Sequence, residues 1–155
     1  MKIKFIIEEI IQKNNIFKGA KLQNDLAKGT IYLLTSDERI IMQYECYSGG
    51  WGDGPLELGE YKVISLMKDE ELKKMNTYNS YSLFDFGWFA RLEPKFETKR
   101  TDLGMHPDGN IIGSLGCPVI PFENLEDNKK MFELIEDELK TKNINFLVMQ
   151  ILNRR

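Results

Sequence analysis

Thr30-Ile31-Tyr32-Leu33-Leu34-Thr35-Ser36-Asp37-Glu38-Arg39-Ile40-Ile41-Met42-Gln43-Tyr44-Glu45-Cys46-Tyr47 decides the fold class. Ile31 to Thr35 is a short run of β-branched, aromatic and apolar residues that reads as a strand. Ser36-Asp37-Glu38 supplies turn chemistry, and Arg39 to Tyr47 returns as an antiparallel partner. Downstream, Ser48-Gly49-Gly50-Trp51-Gly52-Asp53-Gly54-Pro55 is a glycine-dense loop that runs through Pro55 to Val63 into the next strand. The loop lacks the Lys-Ser/Thr of a phosphate-binding loop. It reads either as a wide hairpin turn or as a substrate-contacting loop with Trp51 as its aromatic.

Farther along, Lys68 to Met75 predicts a short helix or charged loop. Tyr78 to Leu92 is aromatic and alternates in part, so it reads as core, with Trp88 or Phe89 as candidates for a groove wall. Pro94 ends that strand or places it at an edge. Pro118-Val119-Ile120-Pro121 is extended. Asn124 to Asp127 carries a helix-start signal, and Leu125, Phe132, Ile135 and Leu139 mark an apolar stripe to about Lys140. Asn143 breaks it, Ile144 to Ile151 reads as a final strand, and Arg154-Arg155 as a solvated end.

Upstream, Ile3, Ile6, Ile7, Ile10 and Ile11 follow the spacing of an amphipathic helix, with Asn14-Asn15 and Gly19 at its end. The expected fold is therefore α+β and mainly β, in one domain. An N-terminal helical segment occupies residues 1–28, the β core residues 30–122, and a helix plus final strand residues 123–155.

At 155 residues the chain is long enough for one core, and 42% hydrophobic with 29% charged residues is a globular composition. A formal net charge of −3, with lysines and acids interspersed, gives no basic footprint for nucleic acid. The N-terminus begins like a secretory signal, but Glu8 and Glu9 interrupt the apolar run and no small-residue cleavage site follows. No stretch is long enough to span a bilayer. The expectation is a chain made soluble in the cytosol without a signal peptide. Two cysteines make no disulfide framework, so both are expected free. One histidine and two cysteines leave no tetrahedral metal set, and no metal or cofactor is expected.

Chemistry concentrates in Arg100-Thr-Asp-Leu-Gly-Met-His-Pro-Asp-Gly-Asn-Ile-Ile-Gly-Ser-Leu-Gly-Cys117, which holds the sole histidine, His106, and the second cysteine, Cys117. A thiol attacks carbonyls as thiolate, and a nearby imidazole can take its proton. Backbone N–H groups at Gly116 and Cys117 are the first choice for an oxyanion hole. Ser114 either supports the turn or acts at the site. Asp108 either orients His106 or belongs to an ordinary Pro-Asp-Gly turn. Arg100 either grips a carboxylate through paired hydrogen bonds or is a surface arginine. The alternative for the whole stretch is a buried structural cysteine with a satisfied histidine.

His106-Pro-Asp-Gly followed by Gly113-Ser-Leu-Gly-Cys117 resembles the nucleophile motif of the L,D-transpeptidase (YkuD-like) family. It is most similar to the short-motif branch that includes peptidoglycan-directed type VI secretion effectors and phage-borne relatives. Pro55-x-x-x-Gly59-x-Tyr61 after the glycine loop is a second point of likeness, and the resemblance spans roughly residues 30 to 122. Leu115 stands where larger members carry a second histidine, and Pro118-Val119-Ile120 where they carry an arginine. The resemblance implies a β-sandwich core, Cys117 as nucleophile, His106 as base and Arg100 as a carboxylate contact. It also implies a peptidoglycan stem peptide as substrate, cleaved before a terminal D-Ala through a thioester that passes to water or an amine. The same branch implies an immunity or secretion partner, and action at the cell wall or periplasm after export by another route or release by lysis. The competing expectation is a catalytically silent wall-binding or phage accessory module on the same fold.

Overall fold

A computed structural model describes residues 1–151; Arg154-Arg155, expected as a solvated end, lie outside them. Among the described residues the chain is mainly β, with two α-helices and a 3-10 turn at Tyr78–Ser80. In order come β1 (Lys2–Ile11), β2 (Ile16–Phe17), β3 (Ala20–Lys21), β4 (Leu26–Leu34), β5 (Ile40–Gly49), β6 (Gly59–Met67) and α1 (Asp69–Leu72). Then follow β7 (Ser82–Leu83), β8 (Phe86–Gly87), β9 (Phe89–Pro94), β10 (Gly104–Pro107), β11 (Pro118–Ile120), α2 (Leu125–Leu139) and β12 (Ile144–Gln150).

The hairpin expected at the centre of the chain is present: β4 and β5 pair antiparallel from Leu26↔Gly49 to Leu34↔Ile40. The expected N-terminal helix is not. Residues 2–11 form β1, hydrogen-bonded antiparallel to β4 and parallel to β12. Its side chains alternate, with Ile3, Phe5 and Ile7 buried and Lys2, Lys4 and Ile6 half-exposed. The isoleucine spacing fits both periods, but Phe5 completes a period-2 set that a helix leaves unexplained. β-Branched isoleucine also favours the pleated surface. A register shift between Ile7 and Glu9 then breaks the alternation, which made the run look helical. There the two backbones approach so closely that a Cβ on Gly29 would stand 2.0 Å from the Ile6 carbonyl oxygen.

Eight strands form a closed ring in the order β1-β12-β6-β9-β10-β11-β5-β4. Closure removes exposed strand edges. The ring draws in β1 and β12, beyond the core expected from residues 30–122, and its hydrogen bonding is continuous, whereas the resemblance implied a two-sheet sandwich. Two neighbouring pairs are parallel, β1 with β12 and β10 with β11.

Helix α2 begins as expected: the Asn124 side chain accepts the Asp127 N–H at 2.8 Å. Its buried face is Asn128, Met131 and Ile135, while Leu125, expected on the apolar stripe, is exposed. Helix α2 packs against β6 and β8. Trp88 is fully buried in this core rather than lining a groove. Its indole N–H donates to Asn128 Oδ1 at 2.8 Å, and the Asn128 amide donates to the Leu83 and Phe86 carbonyls, each at 2.9 Å. One buried amide therefore fastens the β7–β8 hairpin to the helix. No helix among the described residues is long and apolar enough to cross a membrane.

Candidate active site

The parallel pairing of β10 with β11 brings the two ends of the His106–Cys117 stretch together. His106 lies opposite Val119 in the register, and the chain between them loops out and returns. Cys117 Sγ lies 3.9 Å from the Asp102 carbonyl oxygen, and the Gly104 N–H, two residues before His106, faces the sulfur. Both residues line a cleft of about 490 Å³, together with Trp51, Tyr81, Arg100 and Asp102. Cys46, the other thiol, is fully buried elsewhere; both cysteines are free.

The His106 imidazole is buried, and its Nδ1 sits 2.8 Å from the Pro107 carbonyl oxygen. A carbonyl only accepts, so Nδ1 carries the proton and Nε2 is left as the basic nitrogen. Burial pulls His106 down to about 4, against the backbone hydrogen bond that raises it. Burial pushes the Cys117 thiol up, while the Gly104 N–H pulls it down. Both main effects oppose charge separation. The resting site is a neutral thiol and a neutral imidazole lining one cleft, not a thiolate–imidazolium pair.

The loop that carries Cys117 is tied down by groups the sequence singled out. Ser114 Oγ donates to the Cys117 carbonyl at 2.5 Å and accepts from the Gly116 and Gly49 N–H groups, each at 3.2 Å. These contacts are those of a turn support. With the Gly116 N–H turned to Ser114, the Cys117 N–H is the one that meets no protein acceptor among the described residues. Gly113 has φ +83°, and a Cβ there would stand 2.4 Å from the Gly49 carbonyl oxygen, so only glycine fits. Asp108 Oδ2 accepts the Gly113 N–H at 3.1 Å; this carboxyl group serves the loop, and the group hydrogen-bonded to His106 is the Pro107 carbonyl.

Arg100 lines the cleft and is held in place rather than loose at the surface. Its guanidinium donates to the Pro55 and Asp53 carbonyls, each at 2.5 Å, and Nε lies 3.8 Å from Glu57. It clamps the glycine loop beside the cleft. Trp51 pins the same loop from the other side, its Nε1–H donating to the Ile112 carbonyl at 2.8 Å. Three contributors escaped the sequence reading. Ser48, buried in β5, donates to the Gly116 carbonyl and accepts the Leu56 N–H, at 2.9 and 2.8 Å. Tyr81 lies against the imidazole, and Asp102 stands at the rim. Nothing local distinguishes these residues from ordinary strand and turn positions.

Among the described residues, no group of three or more histidines, cysteines and acids is placed to hold a metal ion. No protein-family model matches the chain, and no curated protein matches it.

Two buried titrations make stability a probe of this site. Burial raises Asp108 from 3.8 to about 7, so the folded state holds a proton there that the unfolded chain has released, and stability falls as pH rises through that window. His106, lowered from 6.5 to about 4, does the reverse: its contribution is lost as pH falls. In wild type the two slopes oppose each other between pH 5 and 6.5. Asp108→Asn is expected to leave the His106 slope bare, with unfolding free energy rising by up to about 1.4 kcal/mol per pH unit over that range in urea titrations. A flat profile in Asp108→Asn would contradict a buried neutral imidazole.

Proposed function

We propose that this protein is a cysteine acyl-transfer enzyme acting on peptidoglycan stem peptides, with the L,D-transpeptidase-like chemistry that its motif resembles. The observation that carries the reading is the shared cleft: the sole imidazole, its Nε2 left basic, and a half-buried thiol line one cavity of about 490 Å³.

In the proposed cycle the sulfur attacks the carbonyl carbon of the third stem residue as its proton passes to His106 Nε2. The proton moves with the attack, because burial disfavours a preformed ion pair. The tetrahedral oxyanion accepts the Cys117 N–H. The C–N bond then breaks, imidazolium protonates the departing D-Ala amine, and a thioester remains. Water or an amine attacks the thioester, gives its proton to the imidazole, and the thiol is reprotonated as the new bond forms. Water yields carboxypeptidase action; an amine yields crosslinking or exchange. The finer fold assignment, an L,D-transpeptidase core, belongs to this proposal, as do wall localisation and a secretion or immunity partner.

The neutral resting pair favours a second reading, a wall-binding module on the same fold that holds stem peptide without turnover. Incubation with defined muropeptides and mass spectrometry of the products separates them. The expected result is loss of terminal D-Ala or a crosslinked product with wild type and none with Cys117→Ala. Identical product profiles for the two proteins would sink the enzyme reading, and retained binding in both would leave the module.

A further inference from the structure

We propose that Tyr81, backed by Phe89, is a positioning residue for His106: its aromatic ring covers the imidazole edge and holds that ring in one orientation, shielded from water. The inference rests on His106 being the base of the proposed acyl transfer.

Three rings meet here. Tyr81 packs edge-on against His106 with centroids 4.6 Å apart, and Phe89 stacks on it at 5.8 Å and 23°. Tyr81 and Phe89 also meet each other edge-on at 5.6 Å, so the two aromatics brace one another around the imidazole. The backbone is shaped to allow this. A Cβ on Gly104 would fall 2.2 Å from Phe89 Cζ, so β10 carries glycine where the Phe89 ring crosses it.

Tyr81 is itself held from several directions. Its N–H donates to the Tyr78 carbonyl at 3.0 Å and its carbonyl accepts the Trp88 N–H at 3.3 Å. The β7–β8 hairpin that follows turns through Phe84 and Asp85, both at positive φ, and Asn128 fixes it from α2. Asp69 fixes it from α1, accepting the Gly87 N–H at 2.8 Å and the Tyr78 hydroxyl at 2.5 Å. A residue presented this firmly loses little freedom in holding its neighbour. The two rings meet at 74°, and among the described residues no hydrogen bond joins the Tyr81 hydroxyl to the imidazole.

The titratable groups around the imidazole are few. Tyr81 comes from the segment before β7, Cys117 from the loop before β11, and Asp102 from the turn before β10. β9 contributes the Phe89 ring and β11 the apolar Val119. Among the described residues no ion pair or charged hydrogen-bond partner engages the imidazole, so its protonation follows its exposure to water. That exposure is what Tyr81 controls.

Because His106 is the sole histidine, its imidazole NMR signals are unique and need no substrate. In ¹⁵N-labelled wild type and Tyr81→Phe, a single Nδ1–H tautomer that stays neutral into the acid range is expected. In Tyr81→Ala the imidazole pKa is expected to rise toward that of free histidine by about one unit or more, with the tautomers exchanging. Tyr81→Leu is the second variant should the alanine form not fold. An unchanged pKa and tautomer in a folded Ala or Leu variant overturns the proposal; so does a Tyr81→Phe variant that behaves like Tyr81→Ala. With muropeptides, Tyr81→Ala is expected to lower kcat and shift the pH–rate profile, and Tyr81→Phe to restore both. Should no wild-type turnover be found, acyl transfer falls, while the NMR result still decides whether Tyr81 governs the imidazole.

Discussion

Replacing His106 with Gln is expected to lower acyl transfer from a stem peptide by about 10²–10⁴-fold, the usual range for loss of a general base. Glutamine is uncharged and of similar reach, its amide falling near the place of Nε2 rather than of Nδ1, which lies 2.8 Å from the Pro107 carbonyl. What it lacks is a nitrogen that can take a proton. The effect is expected to be large because the resting thiol is neutral: burial already pushes it up, so the sulfur depends on a base acting during attack. Product formation followed by mass spectrometry under saturating muropeptide reads the change. An activity within a few fold of wild type would place the base elsewhere.

Asn128→Ala is expected to destabilise the fold by about 3 kcal/mol or more, since the loss strands a buried donor and two acceptors. Asn128 and Trp88 are both fully buried, and the amide is the partner of the indole N–H and of the Leu83 and Phe86 carbonyls. Removing it also leaves a cavity between α2 and the hairpin. For a chain of this size the melting temperature is expected to fall by roughly 6–12 °C. Urea and thermal unfolding measure it, and a change below about 0.5 kcal/mol would mean that water replaces the amide without cost. The same variant is expected to loosen the hairpin that leads from Tyr81.

These two variants sample opposite ends of what the amino-acid order discloses. Asn124 is legible as a helix cap because its contact, the Asp127 N–H, lies three residues away. Asn128, four residues later, is not legible as a hub, because its partners lie 40 or more residues away in the chain. The N-terminal strand was misread for a related reason. Its isoleucines carry both periodicities, and pairing with β4 and β12 decides between them. Local preference is weak beside two flanking ladders of hydrogen bonds.

At the site, the Arg100–Cys117 stretch announces its residue types, and Ser114 and Gly113 announce a tight turn. Arg100 announces a cation, but not that its donors meet the Pro55 and Asp53 carbonyls. Tyr81 announces an aromatic, but not that it rests on the imidazole.

By itself, the order of residues determined a mainly β chain, the central hairpin, the capped helix after residue 122, and a segment bearing one imidazole and one thiol. Each of these follows from neighbours a few positions apart, where spacing and side-chain type are the whole of the physics. The tertiary structure alone decided that β1 completes a closed ring, that β10 and β11 set His106 and Cys117 along one cleft, and that both groups rest uncharged. The reason is that ring closure and desolvation are sums over atoms remote in the chain, and no local pattern contains them.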